Sequence, residues 1–192
     1  MVNAGHSNRL IVAISGASGA IYGIRALFHL KRLDYIETHL VITAAAKRTI
    51  AEETSWSIAD IKALADHDHH HADIGAAIAS GSFRTLGMLV APCSVKTLSS
   101  IAHSNNGDLV TRAADVCLKE RRRVVLMLRE TPLHAGHIDL MGLATKSGAI
   151  VMPPVPAFYR RPATIEEMVD HSVGRALDLF GIDAGIVQRW GE

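Results

Sequence analysis

An α/β fold on a mostly parallel sheet, with helices packed on both faces, is what this sequence predicts. Three observations predict it. Short apolar, β-leaning runs alternate with helical patterns along almost all of the 192 residues. The strongest of these runs are apolar throughout, as strands buried on both faces are. Residues able to do chemistry fall just after the runs, where ligands bind in such sheets.

Residues 10–14 (LIVAI) read as the first buried strand. The strand stops at Ser15-Gly16-Ala17-Ser18-Gly19, and a helical pattern continues to Leu30. A Gly/Ser turn between strand and helix lets N–H groups and hydroxyls approach a phosphate, and the helix dipole favours its charge. The spacing G-x-x-G-x-x-x-G is neither the dinucleotide fingerprint nor the P-loop. The turn therefore suits a phosphorylated ligand without naming one, and a tight turn built from small residues for packing is the competing reading.

Residues 37–43 (ETHLVIT) form the second strand, with Thr38, Leu40 and Ile42 on one face and His39 and Val41 on the other. Helices follow at 45–53 and 58–65. Residues 66–84, polar and rich in histidine, read as the least structured segment. Residues 86–91 (LGMLVA) are a buried strand ended by Pro92, and Cys93-Ser94-Val95-Lys96-Thr97 repeats the logic of the first turn before another helix. An amphipathic helix at 109–120 leads into the most hydrophobic strand, 124–128 (VVLML). A helix at 137–147, a short strand at 149–152 and a long helix at 164–181 complete the series. Thr164 suits the N-cap of that helix, Glu166 and Glu167 its first turn, and Gly181 its end.

The length predicts one domain over residues 1–192. A formal charge of +1 argues against a general nucleic-acid binder. The densest basic run, Lys119-Glu120-Arg121-Arg122-Arg123, closes a helix, where cations complement the dipole. No apolar run reaches about 18 residues, and the first ten residues lack a signal-type segment. Cys93 and Cys117 suit a reducing compartment. A cytoplasmic protein with neither membrane nor nucleic acid as partner is the expectation.

Three constellations carry possible chemistry. The two hydroxyl-rich loops would frame a crevice for a mononucleotide phosphate and a polar ring edge; Cys93 has no basic partner nearby in sequence and reads as packing. Arg112 and Lys119 are seven apart on one helix face, and Arg129 and Glu130 leave the strand 124–128 together. If that helix packs beside the strand, the four converge on a phosphate that they hold and protonate; a surface ion-pair network is the competing reading. The run Asp66-His67-Asp68-His69-His70-His71, with Asp73, reads as a solvated loop more than a metal site, because adjacent side chains point apart. No Asp-Asp-x-x-Asp sequence is present to hold magnesium and diphosphate, so prenyl chemistry here would use a monophosphate held by Arg and Lys.

Six separated motifs, SGASGAIYG, ETHLVIT, SGSFRTLGMLVAPCSVKTLS, TRAADVCLKERR, LMLRETPLHAGH and MPPVPAFYRRP, resemble in order those of the UbiX-type flavin prenyltransferases, the small subunits of aromatic acid decarboxylase systems. The resemblance runs from Arg9 to Trp190. It implies a flavodoxin-like, Rossmann-like three-layer sandwich assembled as a homo-oligomer, typically a dodecamer, with FMN between subunits. It also implies metal-independent transfer of a dimethylallyl group from dimethylallyl monophosphate to N5 and then C6 of reduced FMN. The prenylated FMN would serve a UbiD-type decarboxylase, in ubiquinone synthesis or in phenolic acid breakdown.

By position, Gly16, Ala17 and Ser18 match the flavin-contacting turn, Ser94, Val95, Lys96 and Thr97 the second flavin loop, and Arg129 a further flavin contact. Thr43 stands where many relatives have Ser and keeps its hydroxyl. Tyr159 and Arg175, with Lys119 and in some members Arg129, match residues that hold the prenyl phosphate. Glu53 matches a carboxylate near flavin N5, Glu130 the proton donor to departing phosphate, and Arg112 an arginine of the cleft. Asp108, where some relatives have Asn, reads as a helix cap. Trp56, Phe158 and Tyr159 are candidate walls for an allylic cation, with core packing the competing reading for Trp56 and Phe158. An FMN-dependent cysteine decarboxylase of the same fold and a non-catalytic FMN carrier are the alternatives.

Overall fold

The structure, a computed structural model, describes residues 8–187 and 189; Trp190, where the family resemblance ends, lies outside them. Six strands pair in parallel throughout, in the order β3-β2-β1-β4-β5-β6. They are β1 (Arg9–Ile14), β2 (Glu37–Ile42), β3 (His67–His70), β4 (Gly87–Cys93), β5 (Arg123–Leu128) and β6 (Ile150–Val151). The seven helices among the described residues are α1 (Ala20–Leu30), α2 (Ala44–Glu53), α3 (Ile58–Leu64), α4 (Val95–Ala102), α5 (Leu109–Lys119), α6 (Ala135–Lys146) and α7 (Ile165–Asp178). The chain builds β1 to β3 outward in one direction, then returns beside β1 with β4 and builds the other way. The switch point thus lies between β1 and β4.

Alternation along the strands divides the core as the sequence suggests. Leu10, Val12, Ile14, Leu40 and Ile42 face α1, α2, α3 and α7, while Ile11, Ala13, Val41, Met88 and Val90 face α4, α5 and α6. Thr43, Ser94, Asp108 and Thr164 cap α2, α4, α5 and α7 through their side chains, and Asp108 forms a capping box with Thr111. Among the described residues no helix is long and apolar enough to cross a membrane.

Two expectations change. β4 runs on through Pro92 to Cys93, with its pairing to β5 interrupted after Val90. More consequentially, the segment expected to be least structured contains β3. Backbone pairing to β2 makes this strand, against the weak β-propensity of Asp and His. Asp66 fastens its start, accepting from the N–H of Thr38 at 2.8 Å and from its hydroxyl at 2.9 Å.

Candidate active site

The carboxyl ends of β1, β2, β4 and β5 lie side by side at one edge of the sheet, where the switch point between β1 and β4 places the ligand crevice of such folds. Its centre is Ser15, buried at the switch point, whose hydroxyl donates to Pro92 O at 2.8 Å and accepts from Ser94 N–H at 2.8 Å. One side chain thereby joins the two hydroxyl-rich loops. Ser15 was missed as a functional residue; the signal for it was a serine ending an otherwise apolar strand, where only a specific partner justifies burying a hydroxyl. Thr43 N–H donates to Ile14 O and Arg129 N–H to Cys93 O, so neighbouring loops hang from one another.

Gly16 passes so close to α2 that an added Cβ would lie 2.4 Å from the Cβ of Ala45. Ala17 and Ser18 lead to Gly19, whose φ of 94° turns its N–H toward Glu53. Glu53, at the end of α2, accepts from Gly19 N–H at 2.7 Å and from Ala20 N–H at 3.4 Å. Burial works to raise the Glu53 carboxyl, but hydrogen bonds from Ser18, Gly19 and Ala20 and the charge of Arg129 outweigh it, and its pKa is lowered. A carboxylate therefore occupies the anion position at the start of α1. Thr43 Oγ1 accepts from Ala46 N–H, and Ser94 Oγ accepts from Thr97 N–H and lies 3.0 Å from Thr97 Oγ1. Val95 and the exposed Lys96 open α4 beside them. Arg129 and Glu130 stand exposed beyond β5, and Glu130 accepts from Thr131 N–H.

Cys93 is buried and its thiol is pushed up to about 12 by that burial, which removes it as a nucleophile at neutral pH. Trp56 packs against the core, whereas Phe158 and Tyr159 are exposed.

The expected convergence of Arg112, Lys119, Arg129 and Glu130 does not occur within one chain. A helix linking two parallel strands must run back against them. α5 therefore starts by the carboxyl edge and ends at the amino edge, two turns on from Arg112. Lys119 Nζ there lies 2.5 Å from Glu120 Oε1, four residues before β5 begins at Arg123. The length of β5 then puts Lys119 roughly 20 Å from Arg129. Arg112 pairs with Asp115 at 3.3 Å.

Arg175 is likewise remote. α7 runs alongside α1, with Arg25 bridging Glu166 and Asp170 and His29 meeting Asp170 one turn on. Past the end of α7, Leu179 O accepts from Arg123, the first residue of β5, so the helix ends at the amino edge. Arg175, bonded to Asp178 at 2.6 Å, sits on the last turn. Tyr159 stands edge-on to His171, midway along α7, with ring centroids 6.3 Å apart. The His171 pKa is lowered by burial and then by the charges of Arg160 and Arg175, so these residues form a second cationic group.

Residues 3–176 match the Flavoprotein family. The flavin prenyltransferase UbiX of Thauera aromatica is 57% identical over 182 residues, 95% of this chain and 93% of the relative. The crystal structure of AnUbiX (PadA1) in complex with FMN and dimethylallyl pyrophosphate superposes with a TM-score of 0.93 at 49% identity, covering 96% of this chain and 97% of that one. A dodecameric FMN-dependent UbiX-like decarboxylase from Escherichia coli O157:H7 also gives 0.93, at 47% identity, over 96% and all of the respective chains.

Proposed function

Because this chain belongs to the UbiX flavin prenyltransferases of the flavoprotein family, we propose that it joins the dimethylallyl group of dimethylallyl monophosphate to N5 and C6 of reduced FMN. The product, prenylated FMN, passes to a UbiD-type decarboxylase, and the reaction takes place in the cytoplasm without a metal. The observation that carries this reading is the crevice that Ser15 ties together at the switch point. Its donors, the hydroxyls of Thr43, Ser94 and Thr97 and the guanidinium of Arg129, fit a phosphate and the polar edge of FMN. Reduced FMN, when bound, supplies the nucleophilic nitrogen and carbon.

The protein's own part is to make a poor leaving group leave. Lys119, Arg129, Tyr159 and Arg175 neutralise and hold the prenyl phosphate, with Arg112 in the cleft. As the ester C–O bond breaks, Glu130 gives a proton to the departing phosphate oxygen. Glu53 holds the Gly16–Gly19 turn against the flavin face. Lys119 and Arg175 lie at the amino edge of their own sheet, so each site takes them from neighbouring copies. The apolar surface exposed at Val155, Phe158 and Ile165 suits such an assembly. We take the dodecamer of the E. coli relative as its form.

The test is anaerobic incubation of the purified protein with reduced FMN and dimethylallyl monophosphate, followed by the mass of the released flavin. A gain of one five-carbon prenyl unit supports the reading. Unmodified FMN, with binding intact and donor verified, overturns it.

A further inference from the structure

Glu37 and His39 lie two residues apart on β2, and His67 and His69 two apart on β3. Side chains alternate along a strand, so each pair shares a face. The register sets His39 beside His67 and Val41 beside His69, which brings all four groups to one face of the sheet's outer edge. Adjacent histidines do point apart; alternate ones, across two strands, do not.

The distances suit coordination once the His67 imidazole swings out of its stack on His39, where the ring centroids are 4.7 Å apart and the planes 18° from parallel. Glu37 Oε1 lies 3.0 Å from His39 Nε2 and 3.3 Å from His67 Nε2, and donor atoms of the three lie within 4.8 Å of one another. A tetrahedral zinc ion with ligands at about 2.0–2.1 Å separates neighbouring ligand atoms by about 3.3 Å. The second nitrogen of His39, Nδ1, lies 3.0 Å from His69 Nε2, the kind of outer partner that fixes the tautomer of a metal-bound imidazole. His39 is buried and held edge-on to Phe83.

We propose that Glu37, His39 and His67 bind a divalent transition-metal ion, zinc in the first instance, with His69 orienting His39 from behind. Two imidazoles and one carboxylate suit such an ion better than magnesium or calcium, which prefer oxygen alone. Glu37 and His67 are partly exposed, leaving a further coordination position open to solvent. Arg9 is the opposing charge: its Nε lies 3.1 Å from Glu37 Oε2 and 3.2 Å from Oε1, and its guanidinium covers the Phe83 ring. It fixes the carboxylate while weakening the ion's hold. Lys31 is engaged by Asp66, and Lys62 by Asp68, whose side chain belongs to the other face. The site is at the start of β2, the end of the sheet away from the flavin loops, so the ion pins the edge strand β3 to β2 and takes no part in prenyl transfer.

The test titrates the untagged full-length protein with zinc alone, by calorimetry, and with cobalt alone, by visible absorption. The expected result is one ion per chain, with the intense bands of tetrahedral cobalt. His67→Ala and Glu37→Gln should each weaken binding at least about tenfold and remove those bands, with circular dichroism verifying the fold. His69→Ala should weaken it about 10- to 100-fold. Arg9→Gln should tighten it, and His70→Ala with His71→Ala should leave it unchanged. Absence of stoichiometric binding, or binding that survives His67→Ala and Glu37→Gln, overturns the proposal.

Discussion

The crevice at the carboxyl edge and the residues assigned to the prenyl phosphate are built in opposite ways. At the crevice the loops are joined within one chain, where Ser15, Glu53 and Arg129 bind four loop ends into a single frame. The residues assigned to the phosphate are dispersed: Lys119 closes α5, Arg175 lies in the last turn of α7, and Tyr159 rests on His171. A parallel sheet gathers its loops and the helix N-termini at one edge automatically, whereas the C-terminal ends of its helices lie at the other edge. On the proposed reading, the fold itself sets out the flavin loops, and the assembly completes the phosphate half.

The largest effect should separate these halves. Lys119→Ala and Glu130→Gln should each slow prenyl transfer at least about 100-fold while FMN absorbance shows the flavin still bound. Unchanged turnover in both would remove their assigned roles. Gly16→Ala should do the converse and lower FMN affinity about tenfold or more, because its Cβ meets Ala45. Fluorescence titration checks this, and Gly16→Ala combined with Ala45→Gly should recover binding if the contact is the cause.

The β3 edge limits what the sequence alone conveys. Apolar runs announced β1, β4 and β5 because strands buried on both faces carry their environment in their composition. β3 has no such signature, since its pairing uses backbone groups that any residue offers. The caps Asp108 and Thr164 were legible, being local contacts made within three residues. Ser15 was not, because its partners lie 77 and 79 residues away. The spacing of Arg112 and Lys119 gave their common face but not which end of the helix meets which edge of the sheet.

Smaller effects test the frame itself. Ser15→Ala leaves Ser94 N–H without its buried acceptor and should cost about 1–3 kcal/mol, read as a lower urea midpoint. At the α1–α7 contact, burial works to raise the Asp170 carboxyl, but bonds and charge from Arg25 and His29 outweigh this and hold it below its ordinary 3.8. The folded state therefore binds that proton less readily than the unfolded chain. The stabilisation is present above about pH 4 and fades as pH falls through the lowered value. Asp170→Asn should flatten the acid limb of an unfolding-against-pH curve; an unaltered limb would remove Asp170 from the account.

Co-expression of Lys119→Ala with Glu130→Gln chains tests the central claim most directly. If each site takes Lys119 from one copy and Glu130 from another, random mixing leaves about a quarter of sites intact, and prenylated FMN should form at a corresponding fraction of the wild-type rate. Mixed assemblies no more active than either variant alone would contradict a site shared between copies.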